Sequence, residues 1–140
     1  MTTKREQIMQ AITTRLGTVP GVTGVYRSMA EPLVREDALA LVVQWASDRP
    51  GQPGSSWHMD RELEVHVGAY ARGDIPDQLA DPLCEASFAA LMGEPTLGGL
   101  AIDIDEGDTS LDLDGADATA GWTTLRFIVR YRTLRSSLTA

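Results

Sequence analysis

Residues 57–70, WHMDRELEVHVGAY, decide the fold because their side chains alternate between apolar and polar. Leu63, Val65 and Val67 fall on one side of an extended chain, and charged or polar residues occupy the positions between them. Alternation with a period of two is typical of a strand with one face on a core and the other in water. We therefore expect one long strand here, in a mainly antiparallel or mixed sheet. The predicted polar face comprises His58, Asp60, Glu62, Glu64, His66 and Tyr70.

The segment before it, residues 39–46, is apolar on both faces of its alternation. Leu41 and Val43 point one way, and Ala40 and Val42 point the other way, which predicts a central strand covered on both sides. Residues 47–56, SDRPGQPGSS, then predict a flexible loop, because proline and glycine alternate with polar residues. The tryptophans that flank this loop, Trp45 and Trp57, fall on the predicted core face.

The last predicted strand, residues 122–133, carries its arginines on the face opposite Phe127 and Val129. If this strand lies beside 57–70, its arginines face the acidic residues of that strand. Opposite charges directly across a sheet stabilise it by roughly 0.2–1 kcal/mol per pair. We expect a charge lattice on the polar face rather than a pocket. The facing groups are Arg126, Arg130 and Arg132 on one strand and Asp60, Glu62 and Glu64 on the other.

Two helices are predicted outside these strands. Thr3 followed by Glu6 has the form of a capping box, and a stripe of Ile8, Ile12 and Leu16 follows it. A second helix lies within 74–91, and its predicted core stripe is Leu79, Leu83, Ala86, Ala90 and Leu91. The simpler start for this helix has Asp81 as N-cap and Pro82 as the first helical residue. The alternative is a kinked helix that starts near Pro76.

Shorter extended segments are predicted at 22–27, at 98–104 and around Leu111 and Leu113. The resulting order of helix, strands, helix and strands indicates an α+β fold. We expect a mainly antiparallel or mixed sheet of four to six strands with two helices packed on one face. We expect the chain of 140 residues to form one domain, 1–140.

The composition of the chain argues against several classes of function. The formal net charge is −8, which argues against specific nucleic-acid binding, since phosphate contacts require a basic surface. One cysteine excludes a disulfide framework within the chain. The longest strongly apolar run, 38–43, is far shorter than the roughly 18 residues of a membrane helix. Behind Lys4 and Arg5 there is no apolar stretch of the kind a secretory signal has. We expect a soluble domain that is cytoplasmic or part of an assembly.

Charge is unevenly distributed along the chain. Residues 94–121 carry eight acids and no Lys or Arg, whereas residues 122–140 carry four arginines and no acid. Surfaces of two signs favour register and specificity when copies associate. The loop 47–56 and the acidic segment 103–117 are the candidate contact regions, and both are also typical of solvated connectors. The candidate interface residues are Asp48, Arg49, Gln52, Asp105, Glu106, Asp108, Arg130 and Arg132.

No constellation for catalysis or metal binding is evident. His58 and His66 would lie about 26 Å apart on one strand, too far to share an ion. Residues 103–108, DIDEGD, differ from a calcium loop because glycine stands where a ligand is required. Cys84 adjoins an apolar stripe, where a thiol usually serves as a small apolar side chain. We expect no enzyme activity, no metal and no cofactor.

Three stretches together carry a resemblance that spans roughly 5–133. Arg5-Glu6-x-Ile8 leads through Gly21-Val22 to a strand. The long strand 57–70 is followed by Asp74-x-x-Asp77 and an Ala/Leu-rich helix. EPTLGGL at 94–100 precedes a closing strand that ends in VRYRT at 129–133. In this order, the chain resembles the tail terminator proteins of long-tailed phages, the group that includes the minor tail protein U of lambda-like phages.

The resemblance implies a structural protein of the virion, assembled in the host cytoplasm without a cofactor. Family members form a hexameric ring that caps the tail tube, stops its polymerisation and offers a surface to the head-completion protein. The implied partners are therefore further copies of the chain, the tail tube protein and a head-completion or connector protein. The ring could form in solution or only on the tube end. Three alternatives remain: another neck or head–tail connector protein, a small-ligand regulatory α+β domain, and a small hydrolase with a carboxylate site.

Overall fold

The computed structural model describes residues 1–28, 38–53, 56–113 and 119–140, without the side chains of residues 52 and 53. Five strands of these ranges form one sheet in the order β1-β2-β3-β5-β4. In chain order, the elements are α1 (Lys4–Leu16), β1 (Val25–Arg27), β2 (Leu39–Pro53), β3 (His58–Arg72), α2 (Pro76–Met92), a short 3-10 helix (Leu97–Gly99), β4 (Asp103–Leu113) and β5 (Ala120–Leu134).

The sheet is mixed, as the sequence predicts. β1 runs parallel to β2, and all other neighbours are antiparallel. β3 and β5 pair without interruption from His58 opposite Leu134 to Arg72 opposite Ala120. This register confirms that residues 57–70 and 122–133 are neighbours, and it confirms the α+β class.

Both helices and one face of the sheet share a single apolar core. The capping interaction at the start of α1 is present, since Thr3 Oγ1 accepts a hydrogen bond from the Glu6 amide at 3.2 Å. The predicted α1 stripe is completely buried. Burying each such side chain stabilises the fold by about 1.5–3 kcal/mol before the ordering cost is subtracted. The largest buried side chains of the core are Ile8, Met9, Ile12, Leu16, Leu41, Leu63, Leu91, Phe127 and Tyr131.

The prediction of a loop over 47–56 is wrong for most of its length. β2 continues to Pro53 and stays paired with β3, with register shifts between Trp45 and Ser47 and between Pro50 and Pro53. β1 covers β2 only opposite residues 41–43, so the rest of β2 is a sheet edge among the described residues. Proline is tolerated on an edge and at bulges because it removes no ladder hydrogen bond there. Residues 54 and 55 lie outside the described residues.

The preferred start of the second helix is also wrong. α2 begins at Pro76 and contains Pro82 in its interior, as the alternative expected. Pro76 already occupies the first helical turn, where proline is favoured, and the helix continues because its inner face is buried. That face is Ala80, Leu83, Ser87 and Leu91. It begins at Ala80 and not at Leu79 as predicted, and Leu79 is 43% exposed.

Two smaller predictions are corrected. The segment after Gly98 is not extended at once, because Gly98 and Gly99 have positive φ values of 70° and 98° in a 3-10 turn. The strand begins only at Asp103. The two tryptophans are not in the core either, as Trp45 is 41% and Trp57 is 77% exposed. No helix among the described residues is long and apolar enough to cross a membrane.

Candidate assembly interface

The sheet face opposite the helices carries the predicted charge lattice, here called the charged face. Asp60 stands opposite Arg132 in the register, and its carboxylate accepts hydrogen bonds from Arg132 Nε at 2.6 Å and Nη2 at 3.2 Å. These bonds lower the pKa of Asp60 and raise that of Arg132. The pair is bidentate, a geometry that arginine forms and lysine does not.

The other partners on the charged face differ in part from the prediction. Arg130 stands opposite Glu62 but bonds instead to Asp103 at 2.7 Å and Asp105 at 2.8 Å on its other neighbour, β4. Glu62 is paired with Arg49 at 2.7 Å. The lattice therefore extends over four strands, β2, β3, β5 and β4, rather than two.

Four candidate interface residues thus lie together on the charged face: Arg49, Asp105, Arg130 and Arg132. Each is engaged by a residue of its own chain. Exposed ion pairs contribute about 0–1 kcal/mol each, and pairing within the chain cancels most of the charge that a partner would feel. The charged face is consequently a nearly neutral surface, suited to setting register with a partner more than to attracting one.

Asp48, also a candidate interface residue, has an internal role instead. The register shift after Trp45 turns Asp48 toward the helix side, where its side chain is only 5% exposed. One carboxylate oxygen accepts hydrogen bonds from Tyr131 Oη at 2.5 Å and Arg5 Nη1 at 3.1 Å. Arg5 in turn lies 4.5 Å from the centre of the Trp45 ring. Burial and Asp48 together raise the pKa of Tyr131. This cluster joins α1, β2 and β5.

The remaining candidates lie at the sheet edges. Glu106 and Asp108 are exposed on β4, beside a register shift between Glu106 and Thr109. The backbone of Gln52 belongs to β2, and its side chain lies outside the description. The acidic segment is therefore an edge strand up to Leu113, and residues 114–118 are not among the described residues. The described residues contain no group of three or more His, Cys, Asp or Glu side chains that could hold a metal ion.

A groove of about 620 Å³ lies between α2 and the β4–β5 strands, here called the acidic groove. Leu111, Leu125 and Phe88 provide its apolar lining, and its acids come from α2. Cys84 also lines it and is half-buried; burial and then the neighbouring Asp81 raise the pKa of its thiol. A raised pKa disfavours the reactive thiolate. The sequence missed this groove because its members come from three segments that only the fold brings together.

The opposite end of the β3–β5 ladder exposes a second apolar surface, here called the Trp57 end. The Trp57 carbonyl accepts a hydrogen bond from the Arg135 amide at 2.8 Å, which places the two residues side by side. Leu134 and Leu138 are also exposed there, at 36% and 46%. Sequence alternation assigned Trp57 to the core because Trp57 and Leu63 are an even number of residues apart and so fall on the same face of the strand. The core, however, begins only at Leu63.

Comparison with solved structures finds a similar fold in a virus-like particle. The chain is similar to a chain from the "Virion of native gene transfer agent (GTA) particle", with a TM-score of 0.58 and 11% sequence identity. The match covers 94% of this chain and 92% of that chain. At this identity, the match establishes a shared fold over nearly the whole length of both chains. No family model matches the sequence, and no curated protein matches it.

Proposed function

We propose that this chain is a structural protein of a phage-like virion and that it caps the tail tube as a ring. In this proposal, the ring stops tube polymerisation and provides the surface for head joining. The partners are further copies of the chain, the tail tube protein and a head-completion protein. The chain assembles in the host cytoplasm, catalyses no reaction and uses no cofactor.

The observation that carries the proposal is the full-length structural match to a component of a gene transfer agent virion. Almost all of both chains is included, so the shared fold is that of the whole domain rather than of a common substructure. The resemblance of the sequence to tail terminators supports the same class. It rests on residues of α1, β3, the turn at 94–100 and β5, and the register places two of these, β3 and β5, side by side.

The surfaces of the domain also support an assembly role. Long paired strands form the charged face, while the acidic groove and the Trp57 end expose apolar side chains beside charges. Exposed apolar patches with polar rims are typical of interaction sites. Other neck or connector proteins would use similar surfaces. The partner that this chain binds therefore has to distinguish a tail cap from those proteins.

The test is to add the purified protein to tail tubes of the same particle while they polymerise. We expect elongation to stop, with one ring at the growing tube end in negative-stain images. A matched sample of the heat-denatured protein controls for nonspecific effects. Tubes that elongate normally and carry no ring would contradict the proposal. Binding to the head connector but not to tubes would instead favour another neck protein.

A further inference from the structure

The acidic groove carries unpartnered negative charge above an apolar lining. Asp77, Asp81 and Glu85 are spaced four residues apart on one stripe of α2, and all three line the groove. None of them forms an ion pair within the described residues. Like charges four residues apart on a helix repel each other and destabilise it. A cationic partner with an apolar side chain would relieve this repulsion and cover the lining.

The Trp57 end has the matching chemistry. It offers the 77%-exposed indole of Trp57 beside Arg135, which is exposed and forms no ion pair within the described part of the chain. Trp and Arg are the side chains most enriched where interfaces bind most strongly. The guanidinium of Arg135 has five N–H donors, which suit a site lined by carboxylates.

One copy of the chain does not bring these two surfaces together. Leu125 lines the groove and Leu134 belongs to the Trp57 end, and both lie on the same strand, β5. Nine residues of extended strand separate them by about 30 Å. The Trp57 end of one molecule therefore reaches only the groove of another.

We propose that the acidic groove of one copy receives the Trp57 end of the next copy in a head-to-tail contact. This inference rests on the proposed function, because it names the subunit contact of the ring. The two surfaces differ and lie at opposite ends of the ladder, so the contact is heterologous. A heterologous contact builds a ring when its rotation closes. Trp57 packs on Leu111 and Phe88, and Arg135 pairs with the acids of α2.

The native Cys84 in the groove provides a reporter for this contact. In Ser136→Cys, the new thiol stands next to Arg135 on an exposed position. Mild oxidation at about pH 9, where the raised pKa of Cys84 is less limiting, should link Cys84 of one copy to position 136 of the next. We expect a ladder of covalent oligomers on a denaturing gel, and mass spectrometry should identify peptides that join Cys84 to the thiol introduced at position 136. Ser56→Cys, on the other side of Trp57, is a second reporter.

Matched control variants distinguish cross-linking through a specific contact from cross-linking through random collisions of two molecules. Thr14→Cys places a thiol on an exposed position of α1 away from both surfaces, and it should give at least tenfold less cross-linking. Adding Trp57→Ala to Ser136→Cys should slow cross-linking about 30-fold, the effect of removing a strong interface side chain. Circular dichroism verifies that each variant is folded.

The outcomes also separate this contact from the proposed function. Cross-linking equal to that of Thr14→Cys, or only symmetric dimers joined through position 136 of both copies, would overturn the head-to-tail contact, whatever the tube assay gives. A ladder joined between Cys84 and position 136 would support it. If that ladder forms while tubes elongate unchecked, the contact stands and the tail-capping function fails.

Discussion

Replacing Tyr131 by Phe tests whether the Asp48 cluster stabilises the monomer rather than an interface. The substitution keeps the buried ring and removes only the hydroxyl, which donates to Asp48 at 2.5 Å. A hydrogen bond to a charged group contributes about 1.5–3 kcal/mol, and short charge-assisted bonds are the strong ones. Asp48 is 5% exposed, so water does not replace the lost donor. Arg5 remains as its second partner and limits the loss.

We therefore expect Tyr131→Phe to lower the free energy of unfolding by about 2 kcal/mol. For a chain of this length, that corresponds to a decrease in Tm of roughly 6–10 °C. Urea denaturation followed by tryptophan fluorescence measures it. Cross-linking of Ser136→Cys should be unchanged by the substitution, because the cluster is internal. A loss of stability below about 0.5 kcal/mol, or a loss of cross-linking in a stable variant, would show that the Asp48 cluster does not stabilise the monomer in this way.

Titration of Tyr131 gives an independent check on the same cluster. Burial and Asp48 raise its pKa above the ordinary value of 10.0. The neutral phenol is thus favoured in the folded state. The stability that the folded state gains from the raised pKa of Tyr131 is fully present below about pH 10, and it is lost as the pH rises through the pKa of Tyr131 in the folded state. In ultraviolet titration of the folded protein, one tyrosine should ionise later than the rest, and it should be missing from Tyr131→Phe.

Three further predictions concern the sheet and α2. Arg132 lowers the pKa of Asp60, so the stability that this ion pair adds is present above about pH 4 and is lost as the pH falls through the pKa of Asp60 in the folded state. Asp60→Asn should therefore make stability depend less on pH in that range, as measured by denaturation at several pH values. Pro82→Ala should raise the unfolding free energy by about 1–3 kcal/mol, since Pro82 is exposed inside α2, and an unchanged or lower Tm would contradict this. Gly68→Ala should destabilise by about 1–3 kcal/mol, because the added Cβ would lie 3.0 Å from the Trp122 ring; a calorimetric Tm equal to that of the wild type would count against it.

The strand pairing could be predicted because it depends on alternation and charge that the sequence displays. β3 has one apolar and one acidic face, and β5 has one apolar and one basic face, so pairing them buries both apolar faces and matches the charges at once. Which acid each arginine selects could not be predicted. Arg130 has neighbours on both sides, and its bonds to Asp103 and Asp105 require β4 to lie at the edge beyond β5.

The errors in β2 and α2 have a common cause. Proline predicts an interruption when each segment is considered alone. Pro50 and Pro53 remain in β2 because that part of the strand is an edge, and Pro82 remains in α2 because burial of Leu83 and Leu91 holds the helix around it. In both segments, the position of the proline in the fold determines whether the strand or helix continues. The local sequence carries no information about that position.

The candidate interface was only partly predictable. Charge counts drew attention to Arg130, Arg132 and the acidic segment, but they could not show that these groups form ion pairs within one chain. The acidic groove and the Trp57 end each combine distant segments.

Ring formation by this chain can be measured as the mass of the wild-type protein in solution. Light scattering over a wide concentration range, alone and with tail tubes, should be combined with negative-stain imaging of the largest species. We expect a closed ring of six times the 15.1-kDa mass of one chain, formed at high concentration or on tube ends. A strict dimer at all concentrations, or a monomer that leaves tube ends bare, would contradict it.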